Sequence, residues 1–187
     1  MAYFPHAFAS DVMDTIEDVR LATPIGLASE NMRAERRFAR DDGFALALAR
    51  AMPIEANVDV VCSDVRYIEY ACGGYISAHV DGSRVCARTG ARTNASALVF
   101  LTDVPEGEGG ETEFLKSVTS DESEVLFSVR PTRGAMVIFN HDTPHVGRCV
   151  GAYPKRLLRL DVVRRNKGDE RDVDEVVDEN ERNSVVV

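Results

Sequence analysis

Tyr70-Ala-Cys-Gly73-Gly-Tyr75-Ile-Ser-Ala-His79-Val-Asp81-Gly-Ser83 is the stretch on which the reading of this chain turns. Residues 65–70 and 75–80 alternate apolar and polar side chains, the period of a strand with one buried face. In an extended strand, residues i and i+2 point to the same side, so His79 and Asp81 converge on one point. Alone, such a triplet also arises from surface hydrogen bonding. A third donor has to come from elsewhere, and the chain has four histidines: His6, His79, His141 and His145. His141 follows the apolar run 135–139, and His145 precedes a strand start at Val146-Gly147, so both are candidates.

Working outward, the texture from about residue 58 is that of short strands and turns. Residues 97–101 form a continuous apolar run suited to a strand buried on both faces. Residues 125–129, 135–139 and 157–163 are further strand candidates, and 107–110 is a glycine-rich turn. The first third reads as helical. Ser10-Asp11 is placed to cap a helix carrying Val12, Met13, Ile16 and Val19, and a second helix starts at Asp41-Asp42 and stops at Pro53. Between them, Arg33, Arg36, Arg37 and Arg40 read as a solvated basic face. These elements predict a mainly β fold with flanking N-terminal helices, a sandwich or barrel. One domain is expected over 1–165, with a helical buttress at about 1–55 and a β core at about 56–165.

Composition narrows the function classes. The net charge is −9, and residues 166–187 carry eight acids against three bases, so that stretch holds −5 and the rest −4. Residues 166–187 are expected to be a flexible acidic tail. This balance disfavours nucleic-acid binding, which needs surplus lysine and arginine. No apolar run reaches membrane-spanning length and the N-terminus does not read as an export signal, so a cytoplasmic protein is expected. Cys62, Cys72, Cys86 and Cys149 show no metal-type pairing and are expected to be reduced.

Two imidazoles and one carboxylate are the donor set that holds Fe(II) on one face, although the same donors also serve zinc. Lys155 lies ten residues past His145, preceded by Tyr153-Pro154 and followed by an apolar strand. Its ammonium would face an interior, which is costly unless an anion compensates it. On a strand starting at Lys155, Arg159 faces the same side and Arg156 the opposite one. Arg159 is therefore the second candidate for a carboxylate partner; its plainer role is an ion pair with Asp161 or an acid of the tail. The plainer reading of the whole set is a metal-free group of polar residues at the core edge.

The quoted stretch resembles the first metal-binding strand of the prolyl 4-hydroxylase-like branch of the 2-oxoglutarate/Fe(II) dioxygenases, which runs Tyr, x, x, Gly, x, aromatic, then His-x-Asp. Val99-Phe100-Leu101-Thr102-Asp103-Val104 and Glu108-Gly109-Gly110-Glu111-Thr112-Glu113-Phe114 resemble its next two elements. Pro131 to Phe139 with Gly134, and His145-Val-Gly147 through Lys155 to Leu158-Arg159-Leu-Asp161-Val162, resemble its last two. The resemblance spans about 58–165 and keeps the interval of ten between the distal histidine and the lysine, which favours His145 over His141. Phe100 and Val146 depart from the commonest residues of the pattern.

What the resemblance implies is a double-stranded β-helix (jelly-roll, cupin-like) core. His79, Asp81 and His145 would bind Fe(II), with Lys155, Tyr70 and Ser96 on the distal carboxylate of 2-oxoglutarate. With dioxygen as the other co-substrate and ascorbate as reductant, such an enzyme hydroxylates a C–H bond and releases succinate and CO2. No catalytic residue beyond the metal centre is required. A prolyl residue of a peptide or protein is the leading substrate; a free amino acid, another small molecule or an alkylated base is the alternative. A non-catalytic metal-binding module is the reading from another class. Residues 82–93 and 116–124 are expected to form loops flanking the site, with Arg84 and Arg88 as candidate substrate contacts and Arg92 beside them.

Overall fold

The computed structural model describes residues 1–26, 32–119 and 122–165. The acidic stretch 166–187 lies outside the described residues, as do two positions of the expected loop at 116–124. Eleven strands, β1 (Ala2–Phe4), β2 (Met32–Arg33), β3 (Glu35–Arg40), β4 (Val58–Tyr70), β5 (Tyr75–His79), β6 (Ala95–Phe100), β7 (Thr112–Leu115), β8 (Val125–Val129), β9 (Met136–Asn140), β10 (His145–Gly147) and β11 (Lys155–Arg164), join two helices, α1 (Ser10–Ala22) and α2 (Asp42–Ala51). They form a six-stranded sheet ordered β1-β9-β6-β11-β4-β3 and a five-stranded sheet ordered β2-β5-β10-β7-β8. All the strand pairings are antiparallel, as in a jelly-roll.

Strand alternation divides the core in two. Val65, Tyr67, Ala97, Val99, Leu158, Leu160 and Ile138 point outward, where Met13, Ile16, Ala45 and Leu48 of the helices cover them. Ile68, Tyr70, Leu98, Phe100, Val137, Phe139 and Leu157 point inward, toward Phe114 of the second sheet. The six-stranded sheet is thus covered on both faces, which is why residues 97–101, in and just past β6, read as an unbroken apolar run. β11 lies between β4 and β6, with Lys155 opposite Tyr70, Leu157 opposite Ile68 and Arg159 opposite Arg66. The turn from β4 to β5 requires its two glycines: Gly73 has φ +73°, and a Cβ on Gly74 would lie 2.7 Å from the Ala71 carbonyl oxygen and 2.9 Å from that of Arg33.

The N-terminal third departs from the expected helical buttress. Asp41 does cap α2, accepting from the Phe44 amide at 2.9 Å. Helix α1, however, has Ala9 at its cap position with no side-chain bond there, and Ser10 is its first residue. The basic stretch is not a solvated face between helices. Residues 35–40 form β3, an edge strand paired with β4 from Glu35 opposite Glu69 to Arg40 opposite Asp64. Ion pairs such as Arg40–Asp64 at 2.7 Å replace the apolar pattern that marks most strands. All four cysteines are free; Cys62 and Cys86 are buried, Cys72 and Cys149 exposed. Among the described residues, no helix is long and apolar enough to cross a membrane.

Candidate metal and co-substrate site

His79 and His145 face each other across the β5–β10 pairing, with ring centroids 4.2 Å apart. Each ring holds its Nδ1 against a main-chain carbonyl two residues earlier: His79 to Ser77 at 2.8 Å, His145 to Thr143 at 3.0 Å. A carbonyl only accepts, so Nδ1 carries the proton and Nε2 keeps its lone pair. Both Nε2 atoms are aimed at Asp81, 3.8 Å from Oδ1 for His79 and 4.0 Å from Oδ2 for His145. The three donor atoms lie within 4.8 Å of one another, a group able to hold one metal ion. Burial, with the neighbouring His79 adding to it, pushes the His145 imidazole down to about 4, so the ring stays neutral and ready to coordinate.

Asp81 is fixed from behind. Its amide donates to the His141 carbonyl at 2.8 Å, Ser96 Oγ donates to Oδ2 at 2.5 Å, and Arg159 lies 3.0 Å from Oδ1. Arg159 also reaches Asp161 at 3.1 Å, and Asp161 is held by Arg66 at 2.7 Å. His141, the alternative donor, lies behind this group: its Nδ1 is 3.1 Å from Ser96 Oγ and its Nε2 2.8 Å from Thr93 Oγ1.

Between the sheets, a cavity of about 170 Å³ runs from this triad to Lys155. Lys155 is 2 % exposed, donates to Thr112 Oγ1 at 2.9 Å, and lies 5.4 Å from the centre of the Tyr70 ring and 5.8 Å from that of Phe100. No carboxylate pairs with it among the described residues. Burial pushes its ammonium down to about 7, with the more distant Glu111 opposing, and burial also raises the Tyr70 phenol. A buried cation beside a phenol and a hydroxyl, unmatched by a protein anion, suits a carboxylate ligand.

The expected residues are therefore distributed unevenly. His79, Asp81, His145, Tyr70, Lys155 and Arg159 all line the cavity, and Ser96 does not. Ser96 faces Asp81 from the next strand, so its hydroxyl serves that carboxylate and not the position beside Lys155. Arg84 pairs with Asp161 at 3.3 Å, and Arg88 turns to the Val61 carbonyl at 3.2 Å; both face the protein's own polar groups. Two cavity residues escaped the sequence reading. Thr112 sits inside a longer glycine-rich motif that hides it, and Arg36 belongs to a charged strand that looks like a solvated stretch in sequence. The alternation of Ala34, Arg36 and Phe38 was the available signal.

The profile of the 2OG-Fe(II) oxygenase superfamily matches residues 65–159 of the chain. None of the curated proteins compared with the chain matches it significantly. Among solved structures, the Pseudomonas putida prolyl-4-hydroxylase superposes with a TM-score of 0.62 at 17% identity, over 88% of this chain and 92% of that one. The prolyl hydroxylase of Trichoplax adhaerens, in complex with a hypoxia inducible factor peptide fragment, gives 0.63 at 10% identity, over 87% and 83%. HygX of Streptomyces hygroscopicus, with nickel, 2-oxoglutarate and hygromycin B bound, gives 0.62 at 13% identity, over 87% and 82%. At these identities the structures speak for the fold. With its matched profile covering half of the sequence, the chain belongs to the 2OG-Fe(II) oxygenase superfamily.

Proposed function

We propose that the protein is an Fe(II)- and 2-oxoglutarate-dependent hydroxylase acting on a prolyl residue of a peptide or protein. The observation that carries the oxygenase chemistry is the pairing, in one cavity, of two imidazoles aimed at Asp81 with a buried lysine that no carboxylate of the described residues matches. In this reading, His79, Asp81 and His145 hold the metal, while Lys155, with Tyr70 and Thr112, holds the distal carboxylate of the co-substrate. When bound, the iron and 2-oxoglutarate supply the oxidation, using dioxygen and releasing succinate and CO2. The chain's own residues orient and enclose. The Ser77 and Thr143 carbonyls fix both imidazole tautomers, and Ser96 and Arg159 fix the Asp81 carboxylate. The apolar walls Ile68, Leu98 and Leu157 exclude water. Ascorbate as reductant and a cytoplasmic setting complete the proposal.

The peptide substrate is supported by likeness to the two prolyl hydroxylases, one of them solved with a peptide. A small-molecule substrate has its own support in the modest cavity of about 170 Å³ and in the likeness to HygX, solved with hygromycin B. Adding Fe(II) and 2-oxoglutarate without oxygen is expected to give a weak visible charge-transfer band, abolished in His79→Ala and Asp81→Ala. With air admitted, a proline-peptide library should show mass gains matching one oxygen atom. Absence of both the band and succinate would refute the oxygenase reading; turnover of small molecules alone would refute the peptide.

A further inference from the structure

The two ends of 2-oxoglutarate, placed as proposed above, leave one cation of the cavity without a counter-ion among the described residues. Arg36 reaches the cavity from β3, the edge strand of the larger sheet, in the same cross-strand row as Ile68 and Leu157. Its row lies between that of Lys155 and Tyr70 and that of Arg159 and Arg66, all on the inward face. The other arginines of β3 and those around the site have partners. Arg37 pairs with Glu35 at 2.7 Å and Arg40 with Asp64 at 2.7 Å. Arg159 pairs with Asp81 and Asp161, and Arg66 with Asp161. Arg36 makes no side-chain hydrogen bond or ion pair among the described residues. Its Nε is fully enclosed without a partner, and its guanidinium carbon sits 5.9 Å from the centre of the Phe38 ring.

Among the described residues, three cations line the cavity, Arg36, Lys155 and Arg159, against one carboxylate, Asp81. A divalent metal and a doubly charged co-substrate add no net charge to that sum. The distal carboxylate of the co-substrate is met by Lys155, Tyr70 and Thr112, and its keto-acid end belongs at the metal. Arg36 is thus a planar, two-pronged donor on the open-edge side of the site, with no anion to bind among the described residues. A half-buried guanidinium whose Nε is enclosed without a partner is costly to leave unmatched, and a carboxylate satisfies it with two parallel hydrogen bonds.

We infer that Arg36 recognises a carboxylate of the primary substrate, so that the molecule oxidised here is an acid. This rests on the oxygenase reading. The carboxylate has two sources: an acidic side chain beside the target residue of a peptide, or the α-carboxylate of a free amino acid.

Matched probes separate them. Protein loaded anaerobically with Fe(II) and 2-oxoglutarate is titrated with L-proline against L-prolinamide, and with capped tripeptides carrying Asp or Asn next to proline. Calorimetry and the shift of the charge-transfer band report binding. In the wild type, the acid of at least one pair should bind about tenfold or more tightly than its amide, the loss expected when a charge-assisted hydrogen bond is removed. In Arg36→Met that preference should fall to near one, with 2-oxoglutarate affinity unchanged. Arg36→Lys should recover part of it by charge without the fork. A preference in the proline pair identifies the free amino acid, and one in the tripeptide pair the acidic peptide. The inference is overturned if the wild type treats every acid and its amide alike, including binding neither. It is also overturned if Arg36→Met loses 2-oxoglutarate itself, which would assign Arg36 to the co-substrate. If the wild type binds no 2-oxoglutarate and shows no band, the oxygenase reading fails first and this inference falls with it.

Discussion

Lys155 is an ammonium enclosed between the two sheets, and its proton should report on the ligand. Burial lowers it from 10.5 to about 7. Between those values the unfolded chain binds more protons than the folded one, so the stability of the ligand-free protein should rise with pH across that window. Below about 7 both states are protonated and the penalty of the buried charge is fully present. A bound dicarboxylate restores the ammonium. Binding of 2-oxoglutarate at pH 8–9 should therefore take up a proton and weaken as pH rises, which calorimetry in buffers of different ionisation enthalpy would measure. Lys155→Met should lower 2-oxoglutarate affinity by roughly one to two orders of magnitude, yet raise the melting temperature of the ligand-free protein at neutral pH. A variant that loses both stability and ligand would contradict the role given to this residue. The cation was legible in the sequence, because a lysine followed by an apolar strand is a conspicuous anomaly. Arg36 was not, because its strand carries four charges in six residues and its inward direction depends on pairing with β4.

At the scale of elements, the long apolar strands are readable, whereas the charged strand β3 and the shortest strands are not. The runs within β4, β6, β9 and β11 have covered faces that show in their alternation or continuity. β1 and β2 have three and two residues, and their pairings are set by neighbours, beyond the reach of local pattern; β10, though three residues long, is foreshadowed by the strand start at Val146-Gly147. The same holds for Ser96, whose position in the chain matched a co-substrate contact but whose strand register sets it opposite Asp161 and on Asp81. β10 also depends on aromatic support. Phe139 of β9 meets the His145 ring edge-on at 4.7 Å, and Phe114 of β7 meets Phe139 at 5.0 Å. Phe139→Ala should destabilise the fold by about 3–5 kcal/mol and also weaken metal binding, because His145 loses the wall that orients it. Denaturant unfolding and metal titration of the same variant measure the two effects; undiminished metal affinity would show that main-chain bonds alone aim the ring.

Across the whole molecule, the site is divided between two sheets of very different construction. Lys155, Arg159 and Tyr70 stand on β11 and β4, paired along most of their length and covered by helices on the far side. His79 and His145 stand on β5 and β10, five and three residues long, whose register slips between His145 and Gly147. Hydrogen exchange should therefore find the slowest amides in β11 and β4, and much faster ones in β5 and β10 of the metal-free protein. Adding the metal should slow exchange chiefly in β5 and β10, since it would tie together residues that only short ladders now hold; uniform slowing across both sheets would contradict this. The shortness of β10 then has a consequence for order of assembly. The ladder that carries the lysine and Tyr70 can form while the histidine strands still open and close, so that wall of the anion's berth stands before the ion's, and Thr112 of β7 joins it as the smaller sheet closes. In the cell, metal capture would be the closing step of folding, and depletion of iron would first be felt as a loosened smaller sheet.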